Sequence, residues 1–596
     1  MTIVLSITSL FSLLLLSVLI GAGSAHALTV EIDAPDELKP LLTQHLEAAR
    51  AARLGEVTGE AMGEEELVRL RAKSLESARE LLATEGYFSP NIDSAMTRTE
   101  NDNLLRFTVL PGPLTRVRAV NISFSGALAA AEPASQRRRA RIERQFALQP
   151  PMPFRQADWD AAKSAVLRPL LAAAYPAAQL SLSQARIDPV TQTADLSLNI
   201  DSGPAFYYGS PQISGQQRYP ASIIQKLNPL KPGQPVRQQD LLDFQQALEE
   251  SGYFTQAVVR IEPDPALAAA APIRVEVVER PLKLFSVGAG VSTDQGARAQ
   301  VSWLHRNVLQ RGLRLKLESH LEEKRQDGLV ELAWPRSSDG YDNSLGVQIE
   351  REDIEGQETQ TSLVVAKRSR IKGSNRSNAD GEIEVTQALQ YQTEKQRVGN
   401  LLTSSNQALT ANLGWTRRRV GRAFYPRQGD VFSAQIGGAN AAMLSDTSFL
   451  RLHGRYTRYF PAGKDGRLIL RGELGSVLAD TVDGIPTDFL FRAGGDNSIR
   501  GYAFQSLGRA EGGGVASVRH LATGSIEYNY FFPGNWGVAL FLDAGDAADH
   551  PENLSPVFGV GIGSRYRSPV GPINLDLAYG EATDELRLHF SLGVSF

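Results

Sequence analysis

A guanidinium is charged at every physiological pH, so an arginine in a glycine-rich tip defines its chemistry by the carboxylates within its reach. Such a tip lies at Phe491-Arg-Ala-Gly-Gly-Asp-Asn-Ser-Ile-Arg-Gly-Tyr-Ala-Phe504, where Arg500 is followed by Gly501 and Tyr502. Its glycines allow positive φ, which predicts a tight loop. Two downstream runs alternate with period two. Gly524–Tyr530 puts Ile526, Tyr528 and Tyr530 on one face and Glu527 on the other, and Val538–Gly545 sets Asp543 opposite Val538, Leu540 and Leu542. Two carboxylates on the polar faces of apolar-backed strands suit charge-assisted hydrogen bonds to Arg500. The expected result is a loop folded into an enclosed space and locked there by Arg500, Gly501, Tyr502, Glu527 and Asp543. No Ser/His/Asp constellation, metal-ligand spacing or phosphate loop accompanies them. Glu527 and Asp543 therefore read as partners of Arg500 rather than as a general acid and base, and no catalytic residue, cofactor or metal is assigned.

Composition narrows the setting. Lys and Arg number 62 against 66 Asp and Glu, a net charge of −4 with no long basic block, which disfavours nucleic-acid partners. Cysteine is absent and the eight His are scattered, so disulfides and thiolate metal sites are excluded. Beyond the N-terminus no run of about 18 apolar residues occurs, so any embedding in a membrane must be by strands. The apolar stretch Ile3–Ile20 before Ala25-His26-Ala27 predicts a signal peptide over residues 1–27. Because that stretch is long, an uncleaved anchor helix is the alternative.

From Leu28 to Pro281 the chain repeats a strand, amphipathic helices, an aromatic corner and closing strands. The corners are Gly86-Tyr87-Phe88, Tyr175, and Gly252-Tyr253-Phe254, roughly 80 to 90 residues apart, a domain-sized period. Gly86 and Gly252 suit helix ends, and the aromatics are expected to pack under the strand that follows. Three small α+β domains are predicted, over 28–112, 113–203 and 204–281. Within the second, Arg137-Arg-Arg-Ala-Arg141 reads as a solvated helix start, with contact to anionic lipid headgroups as the weaker alternative.

After Pro281 alternating runs separated by Gly, Asp, Asn and Ser amount to about sixteen strands, an even number as in single-chain bacterial barrels. The domain over 282–596 is thus expected to be a transmembrane β-barrel, with its inward loop near 480–518. Short turns at Tyr425–Gly429, Phe460–Gly463, Phe532–Asn535 and Ser568–Gly571 set the parity. With both ends of the barrel domain in the periplasm, the Arg500 loop starts from the extracellular side. In the last run, Leu586, Leu588, Phe590, Leu592, Val594 and Phe596 face lipid, while Arg587, His589, Ser591 and Ser595 face the lumen. The closing seam joins Leu284, Gly288 and Gly290 of the first strand to Leu592, Gly593 and Phe596 of the last. Glycine there weakens packing.

The order Ile499-Arg500-Gly501-Tyr502, Gly524-x-x-Glu527, Phe541-x-Asp543-x-Gly545 and a terminal Phe596 resembles the outer-membrane assembly superfamily of POTRA domains followed by a barrel. Within it, chain length and three amino-terminal repeats look most like the TamA branch, the outer-membrane subunits of the translocation and assembly module. That resemblance implies a bacterial outer-membrane location with POTRA domains in the periplasm. It also implies a role in inserting or translocating autotransporter-like clients. The implied partners are unfolded outer-membrane client proteins, outer-membrane lipid and an inner-membrane protein resembling TamB. The alternatives are a two-partner-type secretion pore and a passive porin.

Replacing Phe596 with a polar residue should slow insertion of this protein, read as loss of heat-modifiable mobility on a gel. Normal folding and insertion would remove the sorting role from the chain end.

Overall fold

The computed structural model describes residues 27–58, 62–98, 102–373, 381–401, 403–421, 425–569 and 571–592. Residues 1–26 of the expected leader, together with Gly593 and Phe596 of the expected seam, lie outside the described residues. The chain divides into two compact units. One holds residues up to Ser210 with Lys231–Gln239 and Ile261–Ile273; the other holds Pro211–Leu230, Asp240–Arg260 and Arg274 onward.

In the first unit, a three-stranded sheet orders Ala27–Asp33, Asp102–Leu110 and Asn91–Arg98 side by side. Its long helix, Glu64–Thr84, begins with three acidic residues at the positive end of the helix dipole and buries Leu67, Ser74, Ala78 and Leu82 along one stripe. It stops because Gly86 takes φ of 93° while the Tyr87 amide reaches back to Leu82 O at 3.0 Å. A second sheet orders Arg116–Ser125, Thr193–Asp201 and Gln179–Asp188, and its central strand buries Ala194, Leu196, Leu198 and Ile200 by strict alternation. Helix Pro133–Gln145 carries the arginine run, with Arg137, Arg138 and Arg141 exposed. A third sheet orders Tyr208–Ser214, Ala271–Glu279 and Phe254–Ile261.

The aromatic corners act differently from the expectation. Tyr87 packs on the core of its own module, but Phe88 crosses to the core of the second, with its ring 6.1 Å from that of Phe154. Periodicity identifies an apolar face but not the body that covers it. A helix end leaves carbonyls without intrahelical partners, and each corner offers them to a neighbouring segment. Gly86 O accepts from Thr115 N at 3.0 Å. At the second corner, which lacks glycine, Ala172 O and Ala174 O accept from Gln238 N at 2.9 Å and Phe206 N at 2.8 Å, and Arg138 lies over the Tyr175 ring. In the second unit Gly252 O accepts from Arg306 Nε at 3.1 Å, and the Tyr253 hydroxyl donates to Gly312 O. Burial pushes the Tyr253 phenol up to about 12, so it remains a donor. Phe254 starts the next strand inside a cluster with Tyr219 and Tyr253.

The barrel consists of sixteen antiparallel strands in a closed ring. They are β1 (Lys283–Ser292), β2 (Gly296–Val308), β3 (Leu313–Glu322), β4 (Arg325–Ala333), β5 (Asp342–Ile354), β6 (Gln357–Lys372), β7 (Glu382–Val398) and β8 (Ser404–Arg418). The others are β9 (Gly429–Ala439), β10 (Phe449–Ala462), β11 (Gly466–Leu478), β12 (His520–Phe531), β13 (Trp536–Ala548), β14 (Val557–Ser568), β15 (Gly571–Gly580) and β16 (Glu585–Leu592). Alternation gives the wall its two faces: Val538, Leu540 and Leu542 of β13 are exposed outward, whereas Ala539, Phe541 and Asp543 between them are buried inward.

Gly86→Ala tests the first corner. A Cβ there would lie 2.1 Å from Phe154 O on a backbone with φ of 93°. The strain should cost about 1 to 3 kcal/mol. It should speed limited proteolysis near Thr115 while leaving the barrel's heat-modifiable mobility intact. An unchanged cleavage rate would show that the corner does not hold the two modules together.

Candidate functional site

Between β11 and β12 the chain turns into the lumen. A short 3-10 turn at Thr487–Phe489 starts the descent, and two isolated bridges, Phe491 with Val518 and Ala493 with Leu507, zip its limbs together. Phe489, Phe491, Ile499 and Tyr502 anchor it in an apolar cluster with Phe449 and Leu521 from the wall. Gly501 takes φ of 99° and approaches the backbone of Tyr579 and Gly580 so closely that a Cβ would stand 2.8 Å from Gly580 N. Opposite it, a Cβ on Gly559 would come within 1.9 Å of Arg500 O. Glycine on both sides lets the loop backbone lie against the wall.

Arg500 is 2 % exposed and each of its three guanidinium nitrogens donates to a carboxylate. Its Nε and Nη2 fork onto Asp543 Oδ2 at 2.7 Å and Oδ1 at 2.9 Å, and its own amide donates to Oδ2 at 3.1 Å. Nη1 donates to Glu527 Oε2 at 2.7 Å and to Asp576 Oδ2 at 3.1 Å. The guanidinium carbon lies 3.4 Å from the Phe541 ring centroid. Arg565 donates to Glu527 Oε1 at 3.2 Å and also pairs with Asp576. With Arg471 donating to Ser525 at 3.1 Å beside them, three guanidiniums balance three carboxylates. Charges buried to this degree persist only when paired and hydrogen-bonded. Tyr502 completes the hold: its hydroxyl donates to Phe558 O at 3.1 Å and accepts from Ala582 N at 3.0 Å.

Glu527 and Asp543 are not the only carboxylates that face Arg500. Asp576 on β15 joins them, and Arg565 on β14 bridges the group. Both fall on the inward parity of their strands, a signal present in the sequence. Phe541, in the same alternating run as Asp543, supplies the aromatic face.

The seam closes the ring between β1 and β16. Among the described residues β1 and β16 share one bridge, Ser292 with Ser591, whereas other neighbouring strands pair over most of their lengths. Thr293 adds three bonds: its N donates to Phe590 O at 3.0 Å, and its Oγ1 accepts from Phe590 N at 2.6 Å and donates to Phe590 O at 3.4 Å. Arg298 donates to Leu592 O at 3.3 Å. Since β1 ends at Ser292, residues Glu585 to His589 of β16 run on with no β1 residue opposite. The seam set read from sequence is therefore brought together only in part. Leu592 pairs with Ile573 of β15, and Leu284, Gly288 and Gly290 are paired to β2 alone among the described residues.

At the overhang of β16 the loop meets the wall a second time. His589 Nε2 accepts from Gly501 N at 3.0 Å, and Nδ1 lies 2.6 Å from Asp496 Oδ1. Asp496 N donates to Asp294 Oδ2 at 2.9 Å, in the turn between β1 and β2. His589 has the lumen parity expected of it; Asp294 and Asp496, on turns without periodicity, carried no signal. The helix-end corners take no part in this site.

Residues 283–596 match the Omp85 superfamily domain, and residues 206–280 match a POTRA model described as a surface antigen variable number repeat. An outer membrane protein assembly factor BamA from Nitratidesulfovibrio vulgaris is 23% identical over 429 residues, covering 67% of this chain and 53% of that protein. The chain thus spans about half the length of this curated relative. Among solved structures, BamA from Haemophilus ducreyi lacking POTRA domains 1–3 superposes with a TM-score of 0.65 at 16% identity, over 81% of this chain and 100% of that one. CdiB from Acinetobacter baumannii gives 0.46 at 14% identity, over 80% and 90%.

Arg500→Ala should unplug the lumen and raise single-channel conductance, and Arg500→Lys should also be harmful because an ammonium cannot reproduce the fork. Breaking the buried pair should cost about 3 to 5 kcal/mol. A double-mutant cycle with Asp543→Asn should show coupling of about 0.5 to 3 kcal/mol. Additive effects with unchanged conductance would mean that the pair does not hold the loop.

Proposed function

The chain belongs to the Omp85 superfamily, and from that premise we propose that it is an outer-membrane assembly factor for unfolded outer-membrane clients, autotransporter-like proteins among them. The observation that carries the reading is the seam: among the described residues a ring otherwise paired along its strands is joined there by a single bridge, beside a lumen that its own locked loop enters. Unpaired backbone groups are costly in a bilayer. An opened edge of β1 or β16 therefore offers an incoming strand the hydrogen bonds it lacks. The POTRA domains lie in the periplasm, where their sheet edges engage clients or a partner, and the Arg500 loop enters from the extracellular side. Three amino-terminal modules favour the TamA branch, with an inner-membrane partner resembling TamB.

The role is not enzymatic. The buried carboxylates around Arg500 are committed to guanidiniums, so they act as its partners rather than as a free acid and base pair. A passive porin is disfavoured by a loop held inside the lumen.

A disulfide across the bridge tests the reading in a chain that has no cysteine of its own. In proteoliposomes, Ser292→Cys with Ser591→Cys should reduce folding of an added unfolded autotransporter domain to the empty-vesicle level when oxidised, and restore it on reduction. Client folding at the unmodified rate with the seam crosslinked would overturn the proposal.

A further inference from the structure

Three elements that the chain keeps far apart meet at the overhang: the β1–β2 turn through Asp294, the lumen loop through Asp496, and β16 through His589. The two carboxylates and the imidazole lie within 4.8 Å of one another. Asp294 and His589 are buried, and Gly495, with φ of 96°, leaves room for Asp294 that a Cβ would take, 2.7 Å from its Oδ2. The hydrogen bonds assign the protons. Because Gly501 N donates to His589 Nε2, the imidazole proton sits on Nδ1 and is given to Asp496. Asp294 Oδ1 is then 4.0 Å from a ring nitrogen whose proton is already used. Two adjacent carboxylates in a buried site are stable only with one proton between them.

We propose that Asp294, Asp496 and His589 form a proton-held clasp that fastens the loop to both sides of the seam, so that loss of the shared proton frees β16 from the first hairpin. The clasp stands where strand pairing has run out and does the work that ladder hydrogen bonds do elsewhere in the ring. Why the seam should open at all rests on the assembly-factor reading; the clasp itself does not.

Burial first, and then the neighbouring Asp496 carboxylate, push Asp294 up to about 6. Below the ordinary value of 3.8 the clasp is fully held, and it weakens as pH rises through about 6 and the second negative charge appears. The other charged groups around it are accounted for. Glu323, from the β3–β4 turn, lies against Gly296. Arg298 of β2 is engaged with Leu592 O, Arg455 of β10 donates to Asn497 O at 3.5 Å, and Arg500 is held by its three carboxylates.

Single-channel recording of the full chain between pH 5 and 7.5 tests this. Openings of the unmodified protein should become several-fold more frequent toward pH 7.5, with a ceiling of about 100-fold for a carboxyl moved from 3.8 to about 6. Asp294→Asn copies the protonated carboxyl, so it should stay at the pH 5 frequency throughout. Asp496→Asn removes the second charge, should be equally flat, and serves if the first variant does not insert. With Ser292→Cys and Ser591→Cys oxidised, openings should be rare and independent of pH. The proposal is overturned if either Asn variant keeps the unmodified pH profile. It is overturned equally if the profile survives the oxidised seam. None of these recordings uses a client, so failure of the assembly reading leaves their outcome intact.

Discussion

A guanidinium cannot discharge itself by losing a proton, and burying Arg500 inside the barrel commits the surrounding wall to neutralising it. Asp543, Glu527 and Asp576 come from three strands, and each must present its carboxylate at the same depth. That requirement fixes the registers of β12, β13 and β15 relative to one another, because a slip of one residue would turn a carboxylate to the lipid face. The same constraint explains the small residues nearby. Gly559 and Gly580 clear space for the loop backbone, and Phe541 covers the flat face of the charge. A loop of this length thus behaves as part of the wall.

The modules show a second use of unsatisfied groups. Helix ends leave carbonyls over, and each corner lends them to a neighbouring segment. Glycine makes the turn at Gly86 and Gly252, yet the corner at Tyr175 reaches a similar arrangement without it, since the carbonyls of Ala172 and Ala174 are what is shared. The sequence difference at that corner changes the turn and leaves the joint.

What could be read from the residues alone follows from what periodicity contains. Alternation gave the strand count, the outward Leu540 and Leu542, and the inward Glu527 and Asp543, because facing is a local property of the pleat. It was silent on Asp294 and Asp496, which sit in turns. It had no means of placing Phe88 in the next module, because which body covers an apolar side chain is decided by tertiary contacts. Asp576 and Arg565 were legible by parity, but their company with Arg500 needed the closed ring. The seam was located by chain order; its offset, with β16 outrunning β1, depends on shear and has no counterpart in residue types.

All three carboxylates that hold Arg500 lie downstream of it in the chain, as do Arg565, Phe541 and the Tyr502 acceptor at Phe558. The charge therefore has no partner until strands that follow it are in register, and the final five strands with the loop make one interdependent set. Order of assembly is written into that arrangement. A chain stalled before β13 carries an arginine without the carboxylate it forks onto, so a half-built ring is disfavoured and completion is selected over intermediates.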